Sequence, residues 1–312
     1  MKRLTALFVA IVCLGAVLTS CQREGTKKQG VTVVTTAFPY YDFARQIAGD
    51  RAGVTLLLKP GAEPHSYEPS PADMLAIRSC DLFLYTGGES DAWVKGLLGV
   101  SDGRTVNALA LMDAVEKREV EHDHDGETGH HTVTYDEHIW TSPVNAIKLT
   151  EAITEALVSI DPEGKAIYEA NAAAYLEELR DLDGAYRSLA NNAERKLLVF
   201  GDRFPFLYMT EEYGLDHAAA FSGCSEESEV SAATVAYLIQ TVKENGVPVV
   251  LCTELSSGRI ADGICRETGA VKHSLHSCAN VTKDEAAAGE SYLTLMRRNL
   301  AVLKTALGER AS

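Results

Sequence analysis

The chain has 312 residues, 46% of them hydrophobic and 23% charged, with a formal net charge of −15. That length favours about two domains of ordinary globular composition. So acidic a surface excludes a nucleic-acid binder and repels anionic lipid, while leaving room for a partner that is a cation.

The first twenty residues stand apart. Lys2 and Arg3 precede an apolar run over residues 4–17, and Leu18-Thr19-Ser20-Cys21 follows. The run suits a signal-peptide core better than a membrane span. Charge, apolar core, small residues and cysteine fall in the order of a bacterial lipobox, which predicts cleavage of residues 1–20 and lipidation of Cys21. The alternative is a plain secretory leader with an incidental cysteine. Losing Lys2 and Arg3 leaves a net charge of −17. Residues 21–30 then form a polar tether that holds the rest outside the cytoplasm at a membrane surface. Beyond Cys21 lie Cys80, Cys224, Cys252, Cys265 and Cys278, an odd set that leaves one thiol unpaired within a chain.

Residues 31–160 read as a first lobe. Short apolar runs at 31–37, 54–58, 81–86 and 105–109 predict strands, and residues 41–48, 71–79 and 91–98 predict helices between them. Strand and helix alternating at this spacing give βα units and a parallel sheet, whose ligands bind in loops beyond the carboxyl ends of the strands. One such loop, residues 59–71, holds four prolines and Gly61 around His65. A stiff backbone of that kind presents His65 in a fixed position, useful for a metal ligand, although a lone loop histidine is also often merely exposed.

Residues 116–135 are polar and acidic and include His122, His124, His130 and His131. They read as a mobile loop. Four imidazoles among carboxylates make a weak, adaptable auxiliary site for borderline metals, and the bland alternative is a solvated insertion. Order resumes at Asp136-Glu137-His138-Ile139-Trp140-Thr141-Ser142-Pro143, where Ser142 caps and Pro143 opens a helix through 160. His138 therefore sits just ahead of a helix in the same lobe as His65.

Residues 161–192 predict one long helix. Tyr168, Ala172, Tyr175, Leu179, Leu182, Tyr186 and Leu189 recur at steps of four and three, which puts them on one face. Such a helix is roughly 40 Å long and serves either as an ordinary surface helix or as a rigid link between lobes, with Gly184 the place for a bend. Residues 193–312 repeat the βα pattern as a second lobe. Strands are expected at 196–200, 217–221, 247–252 and 270–275, and helices at 206–213, 232–245, 258–268 and 284–307. Cys80 and Cys252 read as small core residues.

The lipobox, the segments GAEPHSYEPSP and DEHIWTSP with a histidine-rich loop between them, the long helix and FGDRFPFLYMTEEYGL together resemble the metal-binding solute-binding proteins of bacterial ABC importers, the zinc and manganese receptors. The resemblance covers essentially the whole mature chain. It implies an α/β fold of two βα lobes with parallel sheets joined by one rigid helix, a metal site in the cleft between them, and no enzymatic activity. His65 and His138 match the family's first-lobe ligands. The family usually carries a third histidine, or a glutamate in manganese receptors, three residues before the aromatic of the motif after the helix. Here that aromatic is Phe204 and the position is Gly201, which has no side chain to donate; the adjacent Asp202 reads as structural. Near the chain end His276 stands where the family offers an aspartate, so the expected site is His65, His138 and His276 holding Zn2+, since three neutral imidazoles suit zinc better than manganese. The fourth position falls to water or a carboxylate, with Glu254 the first protein choice.

Cys224 and Cys278 fall in strand-end loops of the second lobe and are expected to form a disulfide that fixes the His276 loop. Two buried thiols, or Cys278 as a zinc ligand, are the alternatives. The implied partners are the permease of an ABC importer with its ATPase and, through the lipid, a membrane; the protein is expected to be monomeric. A manganese receptor or a metal-dependent adhesin lipoprotein are the nearer alternatives. A secreted zinc hydrolase is remote, because the chain has no His-Glu-x-x-His helix.

Overall fold

The computed structural model describes residues 30–99, 105–120, 134–221, 223 and 230–308. The leader, Cys21 and its tether, Cys224 and the four histidines of the 116–135 segment lie outside the described residues.

In the first lobe β1 (Val31–Thr35), β2 (Ala52–Leu56), β3 (Leu82–Tyr85) and β4 (Ala108–Ala110) lie parallel in the order β2-β1-β3-β4. Val33 pairs with Val54 on one side and with Leu82 on the other. Helices α1 (Phe38–Ala48), α2 (Pro71–Ser79) and α3 (Ala92–Leu98) make the crossovers. The start of α2 is set locally. The Ser70 hydroxyl accepts from the Asp73 N–H, the Asp73 carboxylate accepts from the Ser70 N–H, and Pro71 occupies the first turn, where no intrahelical N–H is needed. The polar segment that follows begins and ends in an antiparallel pair, β5 (Glu119–Val120) with β6 (Thr134–Tyr135), which the composition of the loop conceals.

Helix α4 (Pro143–Ile160) leads through a short 3-10 turn, Pro162–Gly164, into α5 (Lys165–Asn192). This long helix runs unbroken through Gly184. It is more than a link, because its apolar stripe is the centre of the core. Tyr168, Leu179, Leu182, Tyr186 and Leu189 are buried in one cluster with Phe43 and Leu149 of the first lobe and Phe200 and Leu303 of the second. Each buried leucine contributes roughly 1.5–3 kcal/mol, so the lobes share one hydrophobic interior, and Val31–Ser312 is a single compact unit. Polar bonds lock the helix to both sides: Asn171 Nδ2 donates to the Ile47 carbonyl at 3.0 Å and Tyr186 Oη to the Met296 carbonyl at 2.8 Å.

In the second lobe β7 (Leu197–Arg203), β8 (Asp216–Phe221), β9 (Val249–Cys252) and β10 (Val271–Ser274) are parallel in the order β10-β9-β7-β8. Around them lie α6 (Leu207–Tyr213), α7 (Ala232–Asn245), α8 (Arg259–Thr268), α9 (Lys283–Ala288) and α10 (Tyr292–Leu307). The single helix expected over 284–307 is thus two. Gly289 closes α9 in the left-handed region at φ +70, and Ser291 starts a fresh helix by sharing a capping box with Thr294.

Between β10 and α9 the chain crosses to the first lobe. Phe38 N–H donates to the Ala279 carbonyl at 3.1 Å, and Gly61 N–H to the Val281 carbonyl at 2.7 Å. Asn280 Nδ2 donates to the Lys59 and Ala62 carbonyls. Residues 277–281 therefore pin the loop that carries His65.

Candidate metal centre

His65 lies in a one-turn 3-10 helix, Pro64–Ser66, and His138 just ahead of another, Ile139–Thr141. The folded chain brings their Nε2 atoms to 3.1 Å. Two nitrogens on tetrahedral zinc, with bonds near 2.0–2.1 Å, sit roughly 3.3 Å apart, so the pair is already at ligand spacing.

Each ring is oriented from behind. Asp136 Oδ1 accepts from both the His138 N–H, at 2.8 Å, and Nδ1, at 3.2 Å. A carboxylate there fixes the proton on Nδ1 and aims the Nε2 lone pair into the cleft. His65 Nδ1 meets Ser90 Oγ at 3.2 Å, and the Ser90 N–H donates to Glu137 Oε1 at 2.9 Å. A hydroxyl both donates and accepts. Without metal, His65 carries its proton on Nε2 toward His138 and accepts from Ser90; with metal, the proton sits on Nδ1 and Ser90 accepts it. The Ser90 turn is held close to Glu137 by Gly88, where a Cβ would lie 2.4 Å from Glu137 Oε1.

Burial, then the neighbouring His138 and the Arg203 charge, push the His65 pKa down to about 3, against the opposing pull of Asp136. The ring therefore takes up a proton only below about pH 3 and is neutral, and free to ligate, at any physiological pH. An ordinary imidazole ligand with a pKa of about 6.5 costs roughly tenfold in metal affinity at pH 5.5, and two cost roughly a hundredfold. The expected loss between pH 7.5 and 5.5 is at most about tenfold; competition titrations at the two pH values check this, and a hundredfold loss contradicts it.

The two rings open onto a cavity of about 270 Å³ whose far wall comes from the second lobe, including Asp202, Arg203, Thr253 and Glu254. Glu254 is held there, its two oxygens accepting from the Ser277 N–H at 2.8 Å and hydroxyl at 2.6 Å. Asp202 is structural, accepting from the Thr253 N–H and hydroxyl and from the Arg203 N–H.

His276 is not with them. It is 4% exposed and does not line the cavity. Its Nδ1 accepts from the Cys278 N–H at 2.9 Å, which leaves the proton on Nε2, 3.2 Å from Glu285 Oε2. Both ring nitrogens have partners, and Nδ1 also lies 3.6 Å from Glu254 Oε1, so the structure brings His65 and His138 together and places His276 beside Glu254, apart from the pair. Burial raises the Glu285 carboxyl, but the Thr282 N–H, the His276 ring and the Thr282 hydroxyl outweigh it and hold it at about 2. His276 thus anchors the crossing segment. His276→Ala is expected to leave zinc affinity within about threefold while costing about 1–3 kcal/mol of stability in urea denaturation, because Glu285 and the Cys278 N–H lose their partner. A large fall in zinc affinity at unchanged stability would put it in the ligand set.

Cys278 is a free thiol, fully buried, at the one non-glycine position among the described residues with positive φ, +62. Cys224, its expected disulfide partner, lies outside the described residues. Gly201 lines the cavity, and a Cβ there would lie 2.5 Å from Ala261 Cα. Of the residues with a part in the site, Ser90 has no sequence signal, and Asp136 and Arg203 are visible only as members of the DEHIWTSP and FGDRFPFLYMTEEYGL segments.

Two βα lobes on a common helix, with a ligand cleft between the carboxyl ends of their strands, define a solute-binding protein, here one with a pair of imidazoles in the cleft. The chain belongs to the family described as zinc-uptake complex component A, periplasmic, which it matches over residues 33–306. It is 37% identical over 310 residues to the zinc-binding lipoprotein AdcA of Streptococcus pneumoniae strain R6, covering 97% of this chain and 61% of that protein. It is 35% identical over 316 residues to the high-affinity zinc uptake system protein ZnuA of Bacillus subtilis, covering 98% of both. Among solved structures, the Zn(II)-bound ZnuA-like domain of S. pneumoniae AdcA superposes with a TM-score of 0.74 at 35% identity, over 90% of this chain and all of that one. The chain thus spans under two thirds of the pneumococcal relative's length and nearly all of the Bacillus one.

Proposed function

We propose that this protein is an extracytoplasmic zinc receptor that captures Zn2+ in the interlobe cleft and delivers it to the permease of an ABC importer with its ATPase. It is a binding protein and not an enzyme. The observation that carries the reading is the His65–His138 pair: two imidazoles at ligand spacing, one half-buried and one buried, each oriented by a partner on Nδ1, facing a cleft. Zn2+ is the cargo. His65 and His138 are its first-lobe ligands and Glu254 the second-lobe carboxylate. Lipidation of Cys21 would anchor a monomer at the membrane, and the 116–135 histidines would serve as an auxiliary collecting site.

Two imidazoles with a carboxylate also suit manganese more than three imidazoles would. Metal analysis of protein purified without added metal, with X-ray absorption on the bound ion, separates the two. Zinc bound by two imidazole nitrogens and oxygen is expected; stoichiometric manganese would overturn the zinc assignment. Deletion should impair growth in zinc-poor medium, with rescue by added zinc.

A further inference from the structure

The second-lobe wall of the cleft carries two guanidinium groups beside its two carboxylates, and metal ligation alone does not call for them. Arg203, the last residue of β7, lines the cavity that contains His65 and His138. Its backbone N–H is bonded to Asp202, but among the described residues its guanidinium has neither a hydrogen bond nor an ion pair. Arg259, the first residue of α8, lines the same cavity, as do the hydroxyl residues Thr253, Ser256 and Ser257.

The lining carboxylates Glu63, Asp202 and Glu254 balance this charge overall, but among the described residues none forms an ion pair with the Arg203 guanidinium, and each is bonded elsewhere. Both oxygens of Asp202 accept from Thr253 and the Arg203 N–H, both oxygens of Glu254 accept from Ser277, and Glu63 Oε1 faces the His65 N–H at 3.5 Å. A guanidinium cannot ligate a metal, because it has donors and no lone pair to give. Beside a dication it is repulsive unless an anion lies between them.

We propose that the cleft takes zinc together with a small carboxylate anion, the metal on His65 and His138 and the anion forked onto Arg203. The guanidinium fork matches a carboxylate in a bidentate pair, and the anion's second oxygen group fills the open position on the metal. The cargo is then a metal–carboxylate chelate of the di- or tricarboxylic acid class. This rests on the zinc-receptor reading and adds its co-ligand.

Equilibrium dialysis of the intact mature chain against radiolabelled citrate, with and without an equivalent of zinc, tests it. Citrate is expected to be retained in proportion to protein only when zinc is present. R203Q should weaken that retention at least about tenfold, and R203K, which keeps the charge and loses the fork, should fall between. Zinc bound with no citrate retained would overturn the proposal and leave the receptor reading standing. So would R203Q retaining citrate as the wild type does, and labelled phosphate retained in preference to citrate would overturn the carboxylate assignment. No zinc bound in either medium would overturn the receptor reading and the co-ligand with it.

Discussion

Replacing His138 by alanine lowers zinc affinity by about a thousandfold, roughly 4 kcal/mol, in a competition titration against a chelator of known affinity. The size of the effect follows from how the pair is built. His138 is 3% exposed, and Asp136 fixes its Nδ1 proton, so its Nε2 lone pair reaches the metal with almost no ordering cost left to meet. With it gone, His65 remains as a single imidazole on a first-lobe loop and zinc falls back on water and on Glu254. His65→Ala should do nearly as much, and the double variant little more than either alone, because a one-histidine site is already weak. The control is thermal unfolding of the metal-free protein. A binding loss that exceeds any change in metal-free stability belongs to the ligand. If both single variants instead kept wild-type affinity, the tight site would have to lie in the histidine-rich segment 116–135.

The element order was legible because its signals are local. The bounds of α2, α4 and α7 agree with the sequence reading residue for residue; serines cap each of them, and prolines open the first two. Apolar runs buried on both faces mark parallel strands whatever lies around them. His65 and His138 were legible for a related reason: each sits in a proline-bounded segment whose backbone is fixed by its own sequence.

The setting of His276 apart from the pair was not legible, because placement at a strand end says where a residue sits and not where its ring points. Its direction is set by Glu285 on the next helix and by the unusual backbone of Cys278, both tertiary facts. The long helix was read correctly as a helix, but periodicity alone cannot tell a stripe that faces one neighbour from one that gathers both lobes into a single core. That Gly201 gives no ligand was legible, but not its packing reason. An absent side chain looks like an absent ligand until the backbone of another helix is found against it.

Gly201 is therefore where a substitution meant to strengthen the site should damage the protein. It lies in β7 under α8, and an added Cβ would meet Ala261 Cα at 2.5 Å and Ala261 N at 2.6 Å. Those are backbone atoms of a buried helical residue, so no rotamer change relieves the clash and α8 must lift from the sheet. Gly201→Ala is expected to cost about 1–3 kcal/mol, read as a lower urea midpoint at unchanged slope. Gly201→His, the change that would install the family's third imidazole, should cost more and should not tighten zinc binding, because the ring has no path into the cleft that avoids α8. Ala261→Gly removes only the methyl at 2.8 Å and leaves the two closer backbone atoms in place, so it should rescue Gly201→Ala incompletely. Because α8 carries Arg259 at the cavity edge, lifting it also moves the second-lobe wall. A Gly201→His protein as stable as the wild type, with tighter zinc binding, would show that the helix yields and that the position is an empty ligand site after all.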